Sequence, residues 1–253
     1  MSDAQPVLRA IDIALKPGAE SFSETIMRKE ILGLAGLDGH GQADFLEVLA
    51  GVTAPSSGAV EALLGNKNTQ ITSLDDAAGA RIGYMPSDRK KNGIFPNLSV
   101  EDNFTLGNLD RFSRSNWLDK RKARKALEAF RKELSISYAN RKIPISSLSG
   151  GNQQKVLLAR AMARNPEIML LNDPTRGVDI QTRQSLYKYF RRSVAEHGMT
   201  LVVLSTELDE ILDLCDRVVV FRDFSVSARL SKAEMSMNSL MAAMFGQKTE
   251  AVA

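Results

Sequence analysis

The alternation of apolar and polar residues predicts a mixed α/β fold. Residues 7–15 and 21–27 alternate loosely, which is typical of two strands joined at the Lys16-Pro17-Gly18 turn. Glu30 to Gly36 is instead a short apolar run, typical of a buried parallel strand. We therefore expect an α/β core with an antiparallel sheet at its edge.

The same patterns predict the remaining elements. Strands are expected at 59–64, 81–86, 166–174, 199–205 and 217–221, and helices at 43–50, 71–80, 150–164, 180–197 and 207–214, with one more helix after Ser231. From 99 to about 137 the pattern is helical, and 120–132 forms a basic amphipathic helix. The polar residues 87–93 are expected to form a loop. Phe112 and Trp117 are expected in the core or in subunit contacts.

Composition excludes several classes of protein. With 43% hydrophobic and 25% charged residues in 253, the chain is ordinary for a globular domain, and its net charge of +3 argues only weakly for nucleic-acid binding. The single cysteine, Cys215, excludes an internal disulfide and is expected to be buried. No apolar run approaches the roughly 18 residues of a membrane span. His40 and His197 lack partners at metal-binding spacing, so no transition-metal site is expected.

A phosphate-binding loop is suggested by the order strand, glycine turn, helix between 30 and 50. The motif requires Gly-x4-Gly-Lys-Ser/Thr, and the chain has Gly36-Leu37-Asp38-Gly39-His40-Gly41-Gln42-Ala43, hereafter the phosphate loop. Gln42 is neutral where the lysine would meet phosphates, and Ala43 has no ligand atom for Mg²⁺. Losing the lysine weakens binding by roughly 10- to 150-fold. A weak phosphate site and a glycine turn that binds nothing both remain open.

A second candidate anion site is Leu148-Ser149-Gly150-Gly151-Asn152-Gln153-Gln154-Lys155, hereafter the signature segment, which opens directly onto a helix. The unpaired N–H groups and positive end of a helix attract anions. A serine at this position is also an ordinary helix cap. The segment alone therefore leaves both interpretations open.

The apolar strand at 166–174 delivers Asn172 and Asp173 to its carboxyl end, where doubly wound α/β folds bind ligands. An Asp-Glu pair there would supply a Mg²⁺ contact and a base that positions water. Asn172 brings no charge to a metal, and Asp173 is one methylene shorter than glutamate. Both changes point away from fast hydrolysis.

Three ordered blocks resemble the ATP-binding cassette family of transporter ATPases. They are Pro86-Ser87-Asp88-Arg89-Lys90-Lys91-Asn92-Gly93, the signature segment, and Asp173-Pro174-Thr175-Arg176-Gly177-Val178-Asp179. Within that family, the chain is most similar to the second nucleotide-binding half of bacterial monosaccharide importers of the ribose and galactose type. The resemblance implies a RecA-like P-loop core with an antiparallel β edge sheet and an inserted α-helical subdomain. It places the core at about 1–87 and 153–223, the subdomain at 88–152 and a helical tail at 224–253.

The resemblance also implies roles for individual residues. Two cassettes of the family pair head to tail, so that each ATP lies between the phosphate loop of one and the signature segment of the other. Ser149, Gly150 and Gly151 would then contact the γ-phosphate of a partner's ATP. The remaining roles are nucleotide binding at Gly36, Asp38, Gly39, His40, Gly41, Gln42, Ala43, Leu148, Asn152, Asn172 and Asp179, the catalytic-glutamate position at Asp173, the switch-histidine position at Thr206, and permease coupling at Met85, Pro86, Ser87 and Asp88.

The substitutions fall on one of the two sites, because the chain's own phosphate loop is altered whereas the signature segment is intact. The leading hypothesis is a degenerate cassette of a carbohydrate importer. It would complete an ATP site, with its Mg²⁺, on another cassette at the cytoplasmic side of the inner membrane. Its expected partners are that cassette, integral-membrane permease subunits and, indirectly, a periplasmic sugar-binding protein, with no nucleic acid and no metal of its own.

Two alternatives stay open. One is a homodimeric ATPase in which Asp173 positions water well enough for slow turnover. The other is a non-transport cassette acting in translation or DNA repair.

Overall fold

The computed structural model describes residues 5–65, 68–114 and 117–247. Its strands are β1 (Pro6–Ala14), β2 (Phe22–Met27), β3 (Ile31–Gly36), β4 (Ser57–Ala62), β5 (Thr69–Gln70), β6 (Ile82–Met85), β7 (Ser113–Arg114), β8 (Trp117–Leu118), β9 (Ile168–Asn172), β10 (Thr200–Leu204), β11 (Arg217–Arg222) and β12 (Ser225–Ser231). Its α-helices are α1 (Gln42–Leu49), α2 (Leu74–Gly79), α3 (Val100–Leu106), α4 (Leu109–Phe112), α5 (Lys120–Glu133), α6 (Gly150–Met162), α7 (Ile180–His197), α8 (Leu208–Leu214) and α9 (Met237–Phe245).

The chain divides into two compact units. The first comprises the described parts of Met1–Tyr84, Glu167–Asp173 and Ser193–Ala253, and the second comprises those of Met85–Pro166 and Pro174–Arg192. The predicted subdomain at 88–152 lies within the second unit, which also includes 153–166 and 174–192. The boundaries of the core, the helical subdomain and the tail stay a prediction.

A six-stranded sheet of order β12-β11-β3-β10-β9-β6 forms the centre of the first unit. Strands β9, β10, β3 and β11 are parallel neighbours, and β12 pairs antiparallel with β11. All of β9 and β10 is buried, as the apolar runs in these strands predict for a sheet covered on both faces. Because parallel strands share one direction, the carboxyl ends of β3, β9 and β10 lie at the same edge.

An antiparallel sheet of order β2-β1-β4-β5 completes the first unit. Its apolar residues share one hydrophobic core with α1 and the parallel sheet. Three rings lie in this core, with centroids 5.1 Å apart for Phe22 and Phe45, 5.6 Å for Phe22 and Phe221, and 5.4 Å for Phe45 and Phe221. The mixed α/β fold with an antiparallel edge sheet is confirmed.

The second unit is built mainly from helices. Phe104 of α3 stacks on Phe112 of α4 with centroids 5.8 Å apart and lies 6.0 Å from Phe130 of α5. Asn108 is fully buried, and its Nδ2 donates to the Phe104 and Arg160 carbonyls at 3.0 Å each. This amide therefore ties α3 to α6.

The prediction of continuous helix over 99–137 is wrong between α4 and α5. Strands β7 and β8 form a small antiparallel hairpin there, closed by the Asp119 N–H, which donates to the Phe112 carbonyl at 2.8 Å. Phe112 is buried as expected, but Trp117 is 82% exposed and lies outside the core. Strands of two residues are too short to produce a detectable period.

Two further predictions need correction. Residues 89–93 form a π-helical turn rather than an open loop, because the Asp88 carboxylate accepts from the Lys90 and Lys91 N–H groups at 3.0 and 3.1 Å. The tail from 224 is not helical throughout, since β12 precedes α9 and pairs with β11. Backbone pairing with that neighbouring strand favours extended structure there.

Cys215 is fully buried, as expected. Its Sγ lies only 3.0 Å from where a Cβ on Gly33 would stand, and burial raises the pKa of its thiol. Among the described residues, none of the helices has the length and apolar character needed to cross a bilayer.

A charged network in the first unit centres on Arg217. Its guanidinium donates to Glu24 at 2.6 Å and to the two Glu30 oxygens at 2.9 and 3.0 Å. The Glu24 side chain is only 4% exposed and is also bonded by Arg229. Burial alone would lower the pKa of Arg217, but the Glu30 bonds and the two carboxylate charges outweigh it, and the pKa is raised.

Replacing Arg217 by alanine should lower the free energy of unfolding by about 3 kcal/mol, because it leaves the buried Glu24 carboxylate and the partly buried Glu30 carboxylate without this partner. Urea unfolding followed by circular dichroism would measure the loss. The control is Arg222→Ala, which removes an exposed ion pair with Asp223 at 3.4 Å and should cost less than about 1 kcal/mol. Equal losses in the two variants would contradict a structural role for this network.

Candidate functional site

The phosphate loop connects β3 to α1. It turns through Gly39 and Gly41, whose φ angles of 77° and 106° lie in the region that favours glycine. A side chain on Gly41 would also meet the Phe224 Cα at 2.9 Å. Gly41 caps α1 without a side-chain hydrogen bond, and Asp38 and Ala43 are exposed.

Gln42 fills the inside of this loop. It is 7% exposed, and its Nε2 donates to the Leu37 carbonyl at 2.8 Å and to the Gly36 carbonyl at 3.2 Å. Its Oε1 is buried and has no hydrogen-bond partner among the described residues. The side-chain amide therefore satisfies two loop carbonyls without any ligand.

The turn between β11 and β12 covers the outer side of the loop. His40 accepts at its Nδ1 from the Asp223 N–H and at its carbonyl from the Phe224 N–H, both at 3.0 Å. Asp223 and Phe224 have φ angles of 51° and 63°, which is unusual for residues other than glycine. The loop is thus held from outside by a turn with an unfavourable backbone.

Asp173 follows β9 and is engaged by Thr206, which follows β10. The Thr206 N–H and hydroxyl donate to the same carboxylate oxygen, Oδ1, at 2.8 and 3.1 Å. Asp173 is 5% exposed and has a φ of 46°. The residues predicted at the catalytic-glutamate and switch-histidine positions therefore bind each other.

Asn172, the last residue of β9, is 6% exposed and hydrogen-bonds Tyr84. Burial raises the pKa of Tyr84 most strongly, its bond to Asn172 opposes this, and the charge of Glu47 adds to the rise. Neither side chain supplies a negative charge to a cation at neutral pH.

The donor set around this loop does not fit a Mg²⁺ ion. Ala43 has no oxygen in its side chain, Asn172 is neutral and bonded to Tyr84, and Asp173 is bonded to Thr206. No group of three or more His, Cys, Asp or Glu side chains suited to a metal occurs in the part of the chain that the structure describes.

The signature segment lies in the second unit, where Ser149 caps α6. Ser149 is exposed, and its hydroxyl oxygen accepts from the Asn152 Nδ2 at 3.0 Å and from the Asn152 N–H at 3.4 Å. Asn152 accepts in turn from the Ser137 N–H at 2.7 Å. Leu148 is buried with its backbone extended. The first turn of α6 is thus ordered and its capping residue faces solvent.

Asp179 stands beside this segment. Its carboxylate accepts from the N–H and the hydroxyl of Thr182 at 2.8 Å each, and the backbone bond is the main cause of its lowered pKa. A Cβ on Gly151 would lie 3.1 Å from Thr182 Oγ and 3.5 Å from Asp179. Glycine at 151 permits this close approach.

The four residues predicted to sense a permease belong to the second unit. Met85 is buried, whereas Pro86, Ser87 and Asp88 are half-buried. Hydrogen bonds from the Lys91 N–H and, to a smaller extent, the Lys90 N–H lower the pKa of Asp88.

The structure thus groups the predicted residues into two sets. The phosphate loop, Asn172, Asp173 and Thr206 lie in the first unit, and Leu148 to Asn152, Asp179 and Met85 to Asp88 lie in the second. Their predicted roles remain predictions.

Comparison with known proteins identifies the family. The sequence profile described as "ABC transporter" matches residues 19–176, which is well over half of the chain. The chain belongs to the ABC transporter family. Its members bind ATP with Mg²⁺.

The chain is similar to the ABC proteins of several bacteria. It is 35% identical over 243 residues to a ribose import ATP-binding protein of Rhizobium johnstonii, covering 95% of this chain and 47% of that protein. It is 37% identical over 227 residues to an arabinose import ATP-binding protein of Burkholderia cenocepacia, covering 89% and 44%. The chain therefore spans less than half the length of these relatives.

Solved ABC structures share the fold. A dimeric ATP-binding cassette in a post-hydrolysis state with ADP and phosphate has a TM-score of 0.75 and 22% identity, covering 89% of this chain and 98% of that one. A nucleotide-free cassette has a TM-score of 0.78 and 18% identity, covering 94% and 96%. These likenesses confirm the RecA-like P-loop core expected for an ABC ATPase.

No contact was assigned from the sequence to two residues of the quoted motif blocks, Gln154 and Arg89. Gln154 is 1% exposed, and its Nε2 donates to the Pro174 carbonyl at 2.7 Å. Arg89 donates from Nη1 to the Arg176 carbonyl at 2.9 Å. In the sequence these residues stood out only as a polar and a charged residue within motif blocks. That signal does not predict that their side chains bond the Pro174 and Arg176 carbonyls.

Gln42→Glu should destabilise the nucleotide-free chain by about 2 kcal/mol at pH 7, because a carboxylate of the same shape would face two carbonyl oxygens without a proton to donate. Urea unfolding would measure this, and the loss should shrink at low pH, where the protonated acid can donate. The matched control is Asp38→Ala in the same loop, which should change stability by less than about 0.5 kcal/mol. Unaltered stability of Gln42→Glu would show that the amide does not hold the loop.

Proposed function

We propose that this ABC protein is a degenerate cassette of a bacterial carbohydrate importer. Its signature segment serves ATP and Mg²⁺ bound by a partner cassette, and its own phosphate loop has a mainly structural role. The observation that carries this proposal is the use of Gln42 as an internal partner for the loop carbonyls.

Engagement of the remaining polar groups supports a weak or inactive site at this loop. Asp173 accepts two hydrogen bonds from Thr206 through one oxygen, so that oxygen has little capacity left to position water. Ala43 offers no oxygen to Mg²⁺. Binding of water or Mg²⁺ to that Asp173 oxygen would compete with these two hydrogen bonds.

The opposite situation at the signature segment supports its role towards a partner. Ser149 is exposed at the start of a 13-residue helix, whose N–H groups and positive end favour an anion. Gly151 leaves no side chain between this turn and Asp179. The predicted nucleotide contacts of Leu148 to Asn152 and Asp179 belong to this site in our proposal.

The sugar-import names of the relatives support a carbohydrate importer. We propose another cassette and integral-membrane permease subunits as direct partners, with a periplasmic sugar-binding protein as an indirect one and no nucleic acid. Met85 to Asp88 would face the permease, and the chain would lie at the cytoplasmic side of the inner membrane.

A slow homodimeric ATPase is the second candidate. It is favoured by Asp173, which keeps a carboxylate at the carboxyl end of β9. The homodimeric enzyme would hydrolyse ATP without another protein, at its own phosphate loop. The degenerate cassette would contribute only its signature segment to hydrolysis at a partner.

Titration of the purified chain with a fluorescent ATP analogue separates the two candidates. We expect weak binding that changes less than about twofold when Mg²⁺ is added, because Ala43 lacks the hydroxyl that would hold the metal. Tightening by tenfold or more with Mg²⁺, together with ATP turnover by the chain alone, would favour the homodimeric enzyme.

In a complex reconstituted with the proposed partner cassette and permease subunits, Ser149→Arg should lower ATP hydrolysis at least tenfold, since a bulky side chain blocks the start of α6. Ser146→Arg, at an exposed position just before the signature segment, is the matched control and should retain activity. Gln42→Lys should raise hydrolysis less than about twofold. A large gain from Gln42→Lys with no loss from Ser149→Arg would reverse the proposed asymmetry.

A further inference from the structure

Arg89 projects from a turn whose backbone is tightly fixed. This turn, Asp88 to Gly93, is hereafter the Asp88 turn. The Asp88 carboxylate accepts from two of its N–H groups, and the Ile94 N–H donates to the Arg89 carbonyl at 2.7 Å. The Cα of Arg89 is therefore held in place.

The Asp88 turn is attached to α6, the helix that begins in the signature segment. Arg160 of α6 donates to the Gly93 carbonyl. A Cβ on Gly93 would lie 2.9 Å from a methyl group of Leu157, also on α6. The base of Arg89 is thus anchored to the helix whose first turn carries Ser149.

The Arg89 guanidinium reaches back to that first turn. Its Nη1 donates to the Arg176 carbonyl at 2.9 Å, and its Nη2 lies 2.7 Å from where a Cβ on Gly150 would stand. The same Cβ would be 3.1 Å from the Gly177 carbonyl. One planar group therefore lies against the start of α6 and binds the turn at Arg176.

An ion pair does not explain this placement. Among the described residues the hydrogen bond of Arg89 goes to a backbone carbonyl, not to a carboxylate, and its buried Nε lacks a hydrogen bond. A cation beside a helix N-terminus is electrostatically unfavourable unless an anion is also present. A cavity of about 260 Å³, lined by Ser87, Asp88, Arg89, Lys90, Arg176 and Gly177, borders the group and includes two predicted permease-sensing residues.

We infer that Arg89 is a positioning residue for the signature segment. It fixes Gly150 against the turn at Arg176 and Gly177, and so sets where Ser149 meets the γ-phosphate of a partner's ATP. The inference rests on the proposed function, and it assigns to the Asp88 turn the role of linking the permease-sensing residues to that contact.

The test uses this chain in a complex with the proposed partner cassette and permease subunits. Arg89→Ala should lower the kcat for ATP hydrolysis by about 10- to 100-fold while changing the KM for MgATP less than about threefold, because the partner's loop binds the nucleotide and only the alignment is lost. Lys90→Ala removes an exposed charge from the same turn and should leave both constants within about twofold.

Arg89→Lys separates position from charge. Lysine keeps the charge but lacks the planar guanidinium. We therefore expect the kcat of Arg89→Lys to exceed that of Arg89→Ala by less than about threefold. Full recovery would show that charge alone matters and would overturn the inference.

Hydrogen exchange tests the contact itself. Arg89→Ala should speed exchange of the Gln153 amide, whose N–H donates to the Ser149 carbonyl at 2.9 Å in the first turn of α6, and leave the last turn of α6 unchanged. Unaltered exchange of the Gln153 amide would overturn the inference. Hydrogen exchange of the α6 amides would confirm that each variant is folded.

Ser149→Arg in the same assay distinguishes the two levels of the proposal. If Ser149→Arg abolishes hydrolysis but Arg89→Ala does not change kcat, the role of Arg89 is wrong and the proposed function stands. If Ser149→Arg has no effect, the proposed function itself fails.

Discussion

A buried strand that ends in a glycine turn leaves backbone carbonyls and N–H groups that must find partners, and the phosphate loop is shaped by this requirement. In this chain the partners come from the protein. The Gln42 amide donates to the Gly36 and Leu37 carbonyls from inside the loop. His40 accepts hydrogen bonds from the N–H groups of Asp223 and Phe224. The loop keeps the form of a ligand cradle, but side chains and backbone of the protein bond the Gly36, Leu37 and His40 carbonyls.

Polar groups of the protein also bond one another at the carboxyl ends of the neighbouring strands β9 and β10. Asp173 and Thr206 are separated by 33 residues, yet the parallel sheet brings them together and they bond each other. Both donors of Thr206 thus reach the same oxygen of the Asp173 carboxylate. At the start of α6, by contrast, the capping serine faces solvent and the adjoining residues are glycines. Asp173 is therefore buried in the first unit, whereas Ser149 is exposed in the second.

Periodicity was sufficient to predict the main elements. The apolar runs identified β3, β9 and β10, and α7 runs over the predicted residues 180–197 before Gly198 takes a φ of 67°. Strands of two residues leave no period, which is why β7 and β8 were missed. The turn at Asp223 and Phe224 was missed because phenylalanine rarely adopts a positive φ. Residue identities predicted that the phosphate loop is altered, but only the folded arrangement reveals which groups are consumed by internal bonds.

The burial of Cys215 has a practical consequence for spectroscopy. It is the only cysteine in the sequence. It directly follows α8, its sulfur packs against Gly33 of β3, and burial raises the pKa of its thiol. Thiol-reactive spin labels and fluorophores attack the thiolate at an accessible surface, so the native chain provides almost no background for them. Single cysteines introduced at chosen surface positions could therefore report distances within this chain without first removing the natural one.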